Sequence, residues 1–291
     1  MKQFINCNGL TCRELEEGDV LRLLPDRDPM GHKGQYGRLL LLCGSRGFTG
    51  AAALAAMGAL RCGAGLVFLG VPESIYAIEA VKLTEPVVFP LPEEGGMLSA
   101  AAIPPILERL PQMDGVLVGC GLGQSGGTFQ VVRAVLENAA CPVILDADGI
   151  NVLGAHKDIL RGRQAPTILT PHEGEYLRFG GEPGSDRLET SAQSALDWNC
   201  ILVRKGHGTC VTDGRLLYRN TTGNPGMAVG GSGDVLAGMI AGLLGQGIAP
   251  LEAAAWAVWL HGRAGDLCEK RMGQYAMLPT DMLSCLPGLL K

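Results

Sequence analysis

The stretch RLLLLCGSRGFTGAAALAAMGALRCGAGLVFLG, residues 38–70, decides the fold class. Arg38–Cys43 is a short continuous apolar run, the signature of a strand buried on both faces. A glycine-rich turn follows, then an Ala-rich segment over about 50–62 with the composition of a helix. A second apolar strand comes at Leu66–Leu69. Strand, helix and strand in this order make a crossover unit, which implies a parallel pair with the helix lying over it.

The alternation continues outward from this unit. Apolar strands are read at Val87–Phe89, Gly115–Val118, Pro142–Leu145, Thr167–Leu169, Ile201–Val203 and Cys210–Thr212. Helices are read at Ala100–Leu110, where Pro104-Pro105 complicates the first turn, at Thr128–Asn138 and near 186–198. From Gly231 the pattern is wholly helical, through Leu243 and again over about 250–269. The expectation is a three-layer α/β fold, a mainly parallel sheet with helices on both faces. With no Pro/Ser-rich linker and no internal repeat, residues 1–291 are read as one domain, with residues 1–30 an N-terminal lead.

Composition narrows the function. Charged residues make up 18% and the formal net charge is −5, which speaks against a nucleic-acid binder or a polybasic membrane binder. Residues 50–71 are nearly uncharged, but Arg61 and several glycines interrupt them, so a buried helix and strand fit better than a membrane span. The ten cysteines show no C-x-x-C spacing, and Cys43, Cys62, Cys120, Cys141 and Cys210 sit in or beside apolar stretches. Reduced core thiols in a cytoplasmic protein are expected. The amino terminus has no apolar run of signal-peptide type.

Gly is in excess, 43 of 291 residues, and it collects after the strands. Ligands of parallel sheets bind beyond the carboxyl ends of the strands, and four unusual loops fall there: Gly44–Gly50, Gly119–Gly127, Thr170–Glu175 and Lys205–Thr209. In NPGMAVGGSGDVLAG, residues 224–238, glycines at 230, 231 and 233 precede an apolar helix starting near Asp234. Bare amides at a helix start make an anion site, and a carboxylate among them can accept an alcohol proton while phosphate is transferred. An ordinary Asp cap is the simpler alternative. Lys205-Gly206-His207-Gly208-Thr209 can set a cation and amides against phosphate, or can be a hairpin turn. In Thr170–Glu175, Thr170 suits a cap, Pro171 the first helical position and Glu173 the first turn, which leaves His172 to project into the crevice. Asp146 and Asp148 end a strand and can face a magnesium nucleotide or cap the next helix. No zinc-ligand spacing, P-loop or nucleophile elbow occurs.

These segments, in this order, resemble the NAD(P)H-hydrate dehydratase family. The resemblance runs from His32-Lys33-Gly34 and Gly37 through Gly44-Ser45, FTGAAAL (48–54), ALRCGAGLV (59–67), the GCGLG turn and ILDADGIN (144–151). It continues through LTPHEGE (169–175) and Lys205–Thr209 to NPGMAVGGSGDVLAG. It implies a ribokinase-like fold and the nucleotide-dependent removal of water from the S form of hydrated NADH or NADPH, with release of AMP and phosphate. It further implies ADP as co-substrate, with ATP the alternative, together with Mg²⁺ and a homo-oligomer of the family's tetrameric kind. Because 30 residues are too short for the fused epimerase, the chain looks like the stand-alone dehydratase working beside a separate epimerase.

By motif position, Asp234 would be the base and contact the hydrated nicotinamide. Ala51, Gly121 and His172 would line the hydrated-cofactor site. Gly233 would contact nucleotide phosphate, and Lys205, Gly206, His207, Gly208 and Thr209 the AMP portion. Lys33 and Asp146 would stand on the phosphate and metal side. Ser232 departs from the usual Thr but keeps the hydroxyl. A small-molecule kinase of the same fold, or a nucleotide sensor with a dead site, are the competing expectations.

Overall fold

A computed structural model describes residues 1–5, 11–21, 24, 26–184 and 186–290. Its centre is an eleven-stranded sheet. From one edge the order is Lys2–Ile5, Thr11–Glu14, Leu216–Arg219, Cys210–Thr212, Ile201–Arg204, Thr167–Leu169, Val143–Leu145, Gly115–Val118, Arg38–Leu42, Leu66–Pro72 and Val87–Leu91. Every pair from Ile201–Arg204 to Val87–Leu91 is parallel. Pro90, which cannot donate to a ladder, is accommodated because its strand is the outermost one.

The strand Arg38–Leu42 shows why the apolar runs are continuous. Leu39 and Leu41 belong to the core on one face, Leu40 and Leu42 to the core on the other, and all four are fully buried. Period-two alternation here separates two cores rather than core from solvent. The first core is covered by helices Thr49–Arg61, Ser232–Gly245, Pro250–Met272 and Pro279–Leu289. The second is covered by Ile103–Arg109, Gly126–Asn138, Asp148–Leu153, Asp158–Arg161, Glu173–Arg178 and Arg187–Trp198. Pro104 and Pro105 lie in the first turn of their helix, where a missing N–H costs nothing.

Helices Thr49–Arg61 and Ser232–Gly245 meet backbone to backbone. A methyl at Gly238 would lie 2.0 Å from the Ala55 carbonyl oxygen, and one at Gly242 2.4 Å from that of Ala59. This contact accounts for the Ala-rich, nearly uncharged character of residues 50–62: the helix is sandwiched between sheet and helix. Among the described residues no helix is long and apolar enough to cross a membrane.

The amino-terminal segment is more than a lead. Lys2–Ile5 and Thr11–Glu14 extend the sheet, with Leu216, Leu217 and Tyr218 in parallel register against Thr11, Cys12 and Arg13. After Val87–Leu91 the chain returns to the opposite side of Arg38–Leu42 as Gly115–Val118. That reversal opens a crevice beyond the carboxyl ends of these two strands.

Candidate active site

All four glycine-rich loops emerge at this edge, stitched in series. The Gly44 N–H donates to the Cys120 carbonyl at 2.8 Å, Asp146 to Val118 at 3.1 Å, Thr170 to Leu145 at 3.1 Å and Lys205 to Pro171 at 2.8 Å. The loop behind Asp146 is tightly drawn. Gly119, at φ 129°, lets the Asp146 carbonyl approach to where a methyl would leave 1.9 Å, and Ala147 is held at a left-handed φ of 46°. The Asp148 carboxylate accepts from Gly123 N and from Gln124 Nε2, both at 2.9 Å, so it ties the GCGLG turn down rather than facing the crevice.

Asp146 is the centre of the cluster and is 2% exposed. Its Oδ1 accepts from Thr170 Oγ1 at 2.6 Å and from Lys205 Nζ at 2.8 Å, and its Oδ2 from Cys120 Sγ at 3.5 Å. Ligand atoms of Cys120, Asp146 and Asp234 lie within 4.8 Å of one another. Burial alone would lower the Lys205 ammonium, but the Asp146 and Glu175 carboxylates outweigh it and the net direction is up. Asp234 is pushed up to about 6, by burial first and then by the Asp146 charge, with Lys205 opposing. A carboxyl poised there accepts protons near neutrality.

Asp234 sits in the first turn of Ser232–Gly245, which begins within the stretch read as helical from Gly231. Gly231, at φ 97°, precedes it in a left-handed conformation, and the Ser232 N–H donates to the Val229 carbonyl at 3.3 Å. Lys205 Nζ lies 3.2 Å from where a Gly233 methyl would stand, so ammonium and glycine nest face one point.

The Lys205–Thr209 loop joins antiparallel strands, so it is a hairpin connection as well as a wall of the site. Arg187 fixes it, donating to the carbonyls of Arg204 (3.0 Å), Lys205 (2.7 Å) and His207 (3.0 Å). Thr209 Oγ1 closes the turn on the Gly206 carbonyl at 2.8 Å. Lys205, Gly206, His207, Gly208, Thr209 and Gly233 line one cavity of about 590 Å³, together with His172, Ser232 and His261. A second cavity of about 540 Å³, beside Arg13, Gln246 and Trp256, contains none of the sequence-derived site residues.

His172 has a different local role from the one expected. It is the cap itself: its Nδ1 accepts from Gly174 N at 3.0 Å and Glu175 N at 3.3 Å, while the Glu175 carboxylate accepts from His172 N at 2.8 Å. Thr170 is spent on Asp146 instead. The imidazole is 56% exposed and still reaches the cavity wall. Ala51 and Gly121 meet beside Phe48, where a Gly121 methyl would lie 2.7 Å from Ala51 Cβ. Gly121 adjoins Cys120, and through it the Asp146 cluster.

Lys33 is not brought to the site. Its carbonyl abuts Gly65, ahead of Leu66–Pro72, and nearby Gly37 packs on Gly245 at the far end of the helix that Asp234 begins. Fourteen helical residues, roughly 20 Å, separate those ends. Two site residues were not legible in the sequence, Cys120 and His261. Both sit in apolar surroundings, and the sole signal for His261 is a polar and glycine face, at 261, 262, 265 and 266, on an otherwise apolar helix.

A sequence model of the NAD(P)H-hydrate dehydratase family matches residues 39–288. The bifunctional NAD(P)H-hydrate repair enzyme Nnr of Moorella thermoacetica is 46% identical over 275 residues, covering 92% of this chain and 52% of that protein. The chain thus spans about half the length of most of the curated relatives that it matches. The ADP-dependent (S)-NAD(P)H-hydrate dehydratase of Bacillus subtilis is 36% identical, covering 94% of this chain and 96% of that one. A crystal structure of the Bacillus subtilis ADP/ATP-dependent dehydratase, co-crystallised with ATP/Mg²⁺, superimposes with a TM-score of 0.81 at 32% identity over 94% and 96% of the two chains. A ribokinase-like superfamily protein of Enterococcus faecalis gives 0.83 at 26% identity over 96% and 95%.

Proposed function

The chain belongs to the NAD(P)H-hydrate dehydratase family, and from that premise we propose that it dehydrates the S form of hydrated NADH or NADPH at the expense of ADP. The observation that carries the reading is the placing of Lys205 Nζ against Gly233 at a helix start, with the Asp234 carboxyl in the same turn and within electrostatic reach of that ammonium. An alcohol is a poor nucleophile at neutral pH. Asp234, with its carboxyl near 6, takes the hydroxyl proton as the oxygen attacks the terminal phosphorus of the nucleotide. The P–O bond to AMP breaks as the new one forms, and the nest amides and Lys205 meet the charge on the phosphoryl oxygens. Phosphate then leaves the carbon while a proton is lost from the adjacent carbon, which restores the nicotinamide double bond.

Residue roles follow the walls of the site. Lys205, Gly206, His207, Gly208, Thr209 and Gly233 hold the nucleotide, while Ala51, Gly121 and His172 face the hydrated cofactor. The donor set suits magnesium carried in on the nucleotide. Asp146 and Asp234 offer carboxylate oxygens, whereas the Cys120 thiol, held well above its usual range, is a poor ligand for a hard cation. Bound there, magnesium would neutralise phosphate charge. A homo-oligomer is supported by exposed Ile78 and Val81 on the helix Glu73–Lys82 and exposed Val87 on the outermost strand. A cytoplasmic setting is supported by the nine free thiols among the described residues. The epimerase that supplies the S form is read as a separate activity.

The test is phosphate release with hydrated NADH, comparing ADP with ATP while the absorbance of NADH returns. Stoichiometric phosphate, NADH and AMP are expected. A stable phosphorylated product would make the protein a kinase of the same fold.

A further inference from the structure

The helix Pro250–Met272 supplies one wall of the cavity, and His261 is the polar side chain that it contributes there. Val258, His261 and Gly262 line the cavity. One turn on, the Asp266 carboxylate accepts from Gly223 N at 3.1 Å and Asn224 Nδ2 at 3.3 Å, and Thr222 Oγ1 donates to the Trp259 carbonyl at 2.9 Å. His261 is the one group on this face with no structural or catalytic task so far. It is 7% exposed, and its Nε2 lies 3.3 Å from Ser232 Oγ, at the start of the helix that carries Asp234. Burial first, and then the Lys205 ammonium, lower it to about 4, so the ring is neutral at physiological pH. The Ser232 backbone pulls the other way, and Nε2 is within hydrogen-bond reach of the Ser232 hydroxyl.

We propose that His261 is a positioning residue of the nucleotide site: its Nε2–H holds the Ser232 oxygen, so that the Ser232 hydroxyl proton is presented to a phosphate oxygen in the cavity. The proposal rests on reading this cavity as the nucleotide site. A serine hydroxyl carries one proton and two lone pairs. When one lone pair accepts from the imidazole, the proton is free to point at the ligand. Serine lacks the β-branch that restricts χ1 in threonine, so a partner is needed to fix the rotamer. A neutral ring does this without burying a second cation beside Lys205.

The experiment is calorimetric titration of ADP into the full chain, which requires no turnover. H261L should raise the Kd about five- to tenfold, the scale of one hydrogen bond, and S232A should match it. The double variant H261L/S232A should be no weaker than either single one, because a single interaction is lost. H261Q, which keeps an N–H donor, should bind like the parent, and in an S232T background H261L should cost less. Unchanged affinity in H261L, losses that multiply in the double variant, or equal losses in H261Q and H261L would each overturn the assignment. If H261L does not fold, S232A and H261Q decide alone. A parent protein that binds neither ADP nor ATP would instead overturn the nucleotide reading itself.

Discussion

Lys205 Nζ lies 2.8 Å from Asp146 Oδ1, joining the loop after Ile201–Arg204 to the loop after Val143–Leu145. The carboxylate is 2% exposed and the lysine 18%, so the pair is shielded from the screening that weakens surface ion pairs. It has two consequences. It ties the loops that follow two strands flanking Thr167–Leu169, and it keeps a cation 3.2 Å from the Gly233 methyl position, where phosphate charge would gather.

Removing the lysine alone strands a buried carboxylate, which typically costs about 3–5 kcal/mol. Lys205→Met should therefore lower stability by about 3 kcal/mol in urea unfolding. Lys205→Met with Asp146→Asn should recover most of it. Nucleotide affinity should stay low in both variants, since the double one restores neutrality without restoring the cation. A stability loss below about 1 kcal/mol in the single variant would mean that the pair behaves as a surface pair.

Gly238 makes a second prediction, on the packing that positions Asp234. In an exposed helix Gly→Ala gains about 0.5–1 kcal/mol. At Gly238 the added methyl would sit 2.0 Å from the Ala55 carbonyl oxygen, so the helices must part. Gly238→Ala should destabilise by about 1–3 kcal/mol and reduce turnover through displacement of the nest. Gly50→Ala, where nothing lies within 4 Å, is the control and should be neutral or stabilising in thermal unfolding. Equal behaviour of the two would show that the helix pair has slack.

Much of this was legible in the sequence for one reason: strands buried on both faces read as continuous apolar runs, and close backbone approaches read as glycine. Arg38–Leu42, Gly115–Val118 and the four loops follow directly. The amino-terminal strands Lys2–Ile5 and Thr11–Glu14 do not, because KQFI and TCRE mix polar and apolar residues without the run or alternation of a buried strand. His172 escaped as a cap because caps are sought among Ser, Thr, Asp and Asn. The order of motifs suggested Lys33 as a phosphate ligand, but motif order carries no information about which end of a strand a residue occupies. His261 was hidden by the apolar helix around it.

His172 can be divided into its two roles. As a cap it accepts from Gly174 and Glu175 N–H, and His172→Ala should cost about 1 kcal/mol. Asn caps as well, so His172→Asn should retain stability while losing the ring that lines the cavity. Its KM for hydrated cofactor should rise about three- to tenfold, one hydrogen bond's worth, and more than its KM for ADP. An Asn variant with parental values of both would leave His172 as a cap alone.

Asp234 links stability and activity with opposite signs. Folding moves its carboxyl from 3.8 to about 6, chiefly by burial. The stability this group contributes is complete below pH 4 and is lost as pH rises through 6, because the ionised form is the one the fold disfavours. Asn carries no such penalty. Asp234→Asn should therefore be more stable than the parent at pH 8, by up to about 3 kcal/mol, and the gap should close below pH 4. Activity should run the other way. In the parent, kcat/KM should rise tenfold per pH unit below about 6 and level off above it. In Asp234→Asn this limb should vanish, and kcat should fall by about 10²–10⁴-fold. Nucleotide affinity should hold or improve, since a negative charge beside phosphate is gone. The measurements are thermal unfolding at pH 4 and 8, a pH–rate profile and ADP titration on the same preparations. If the Asn variant kept more than about a third of parental kcat, the base would have to be another acid, and Asp146, already held by Lys205 and Thr170, would be the first to test.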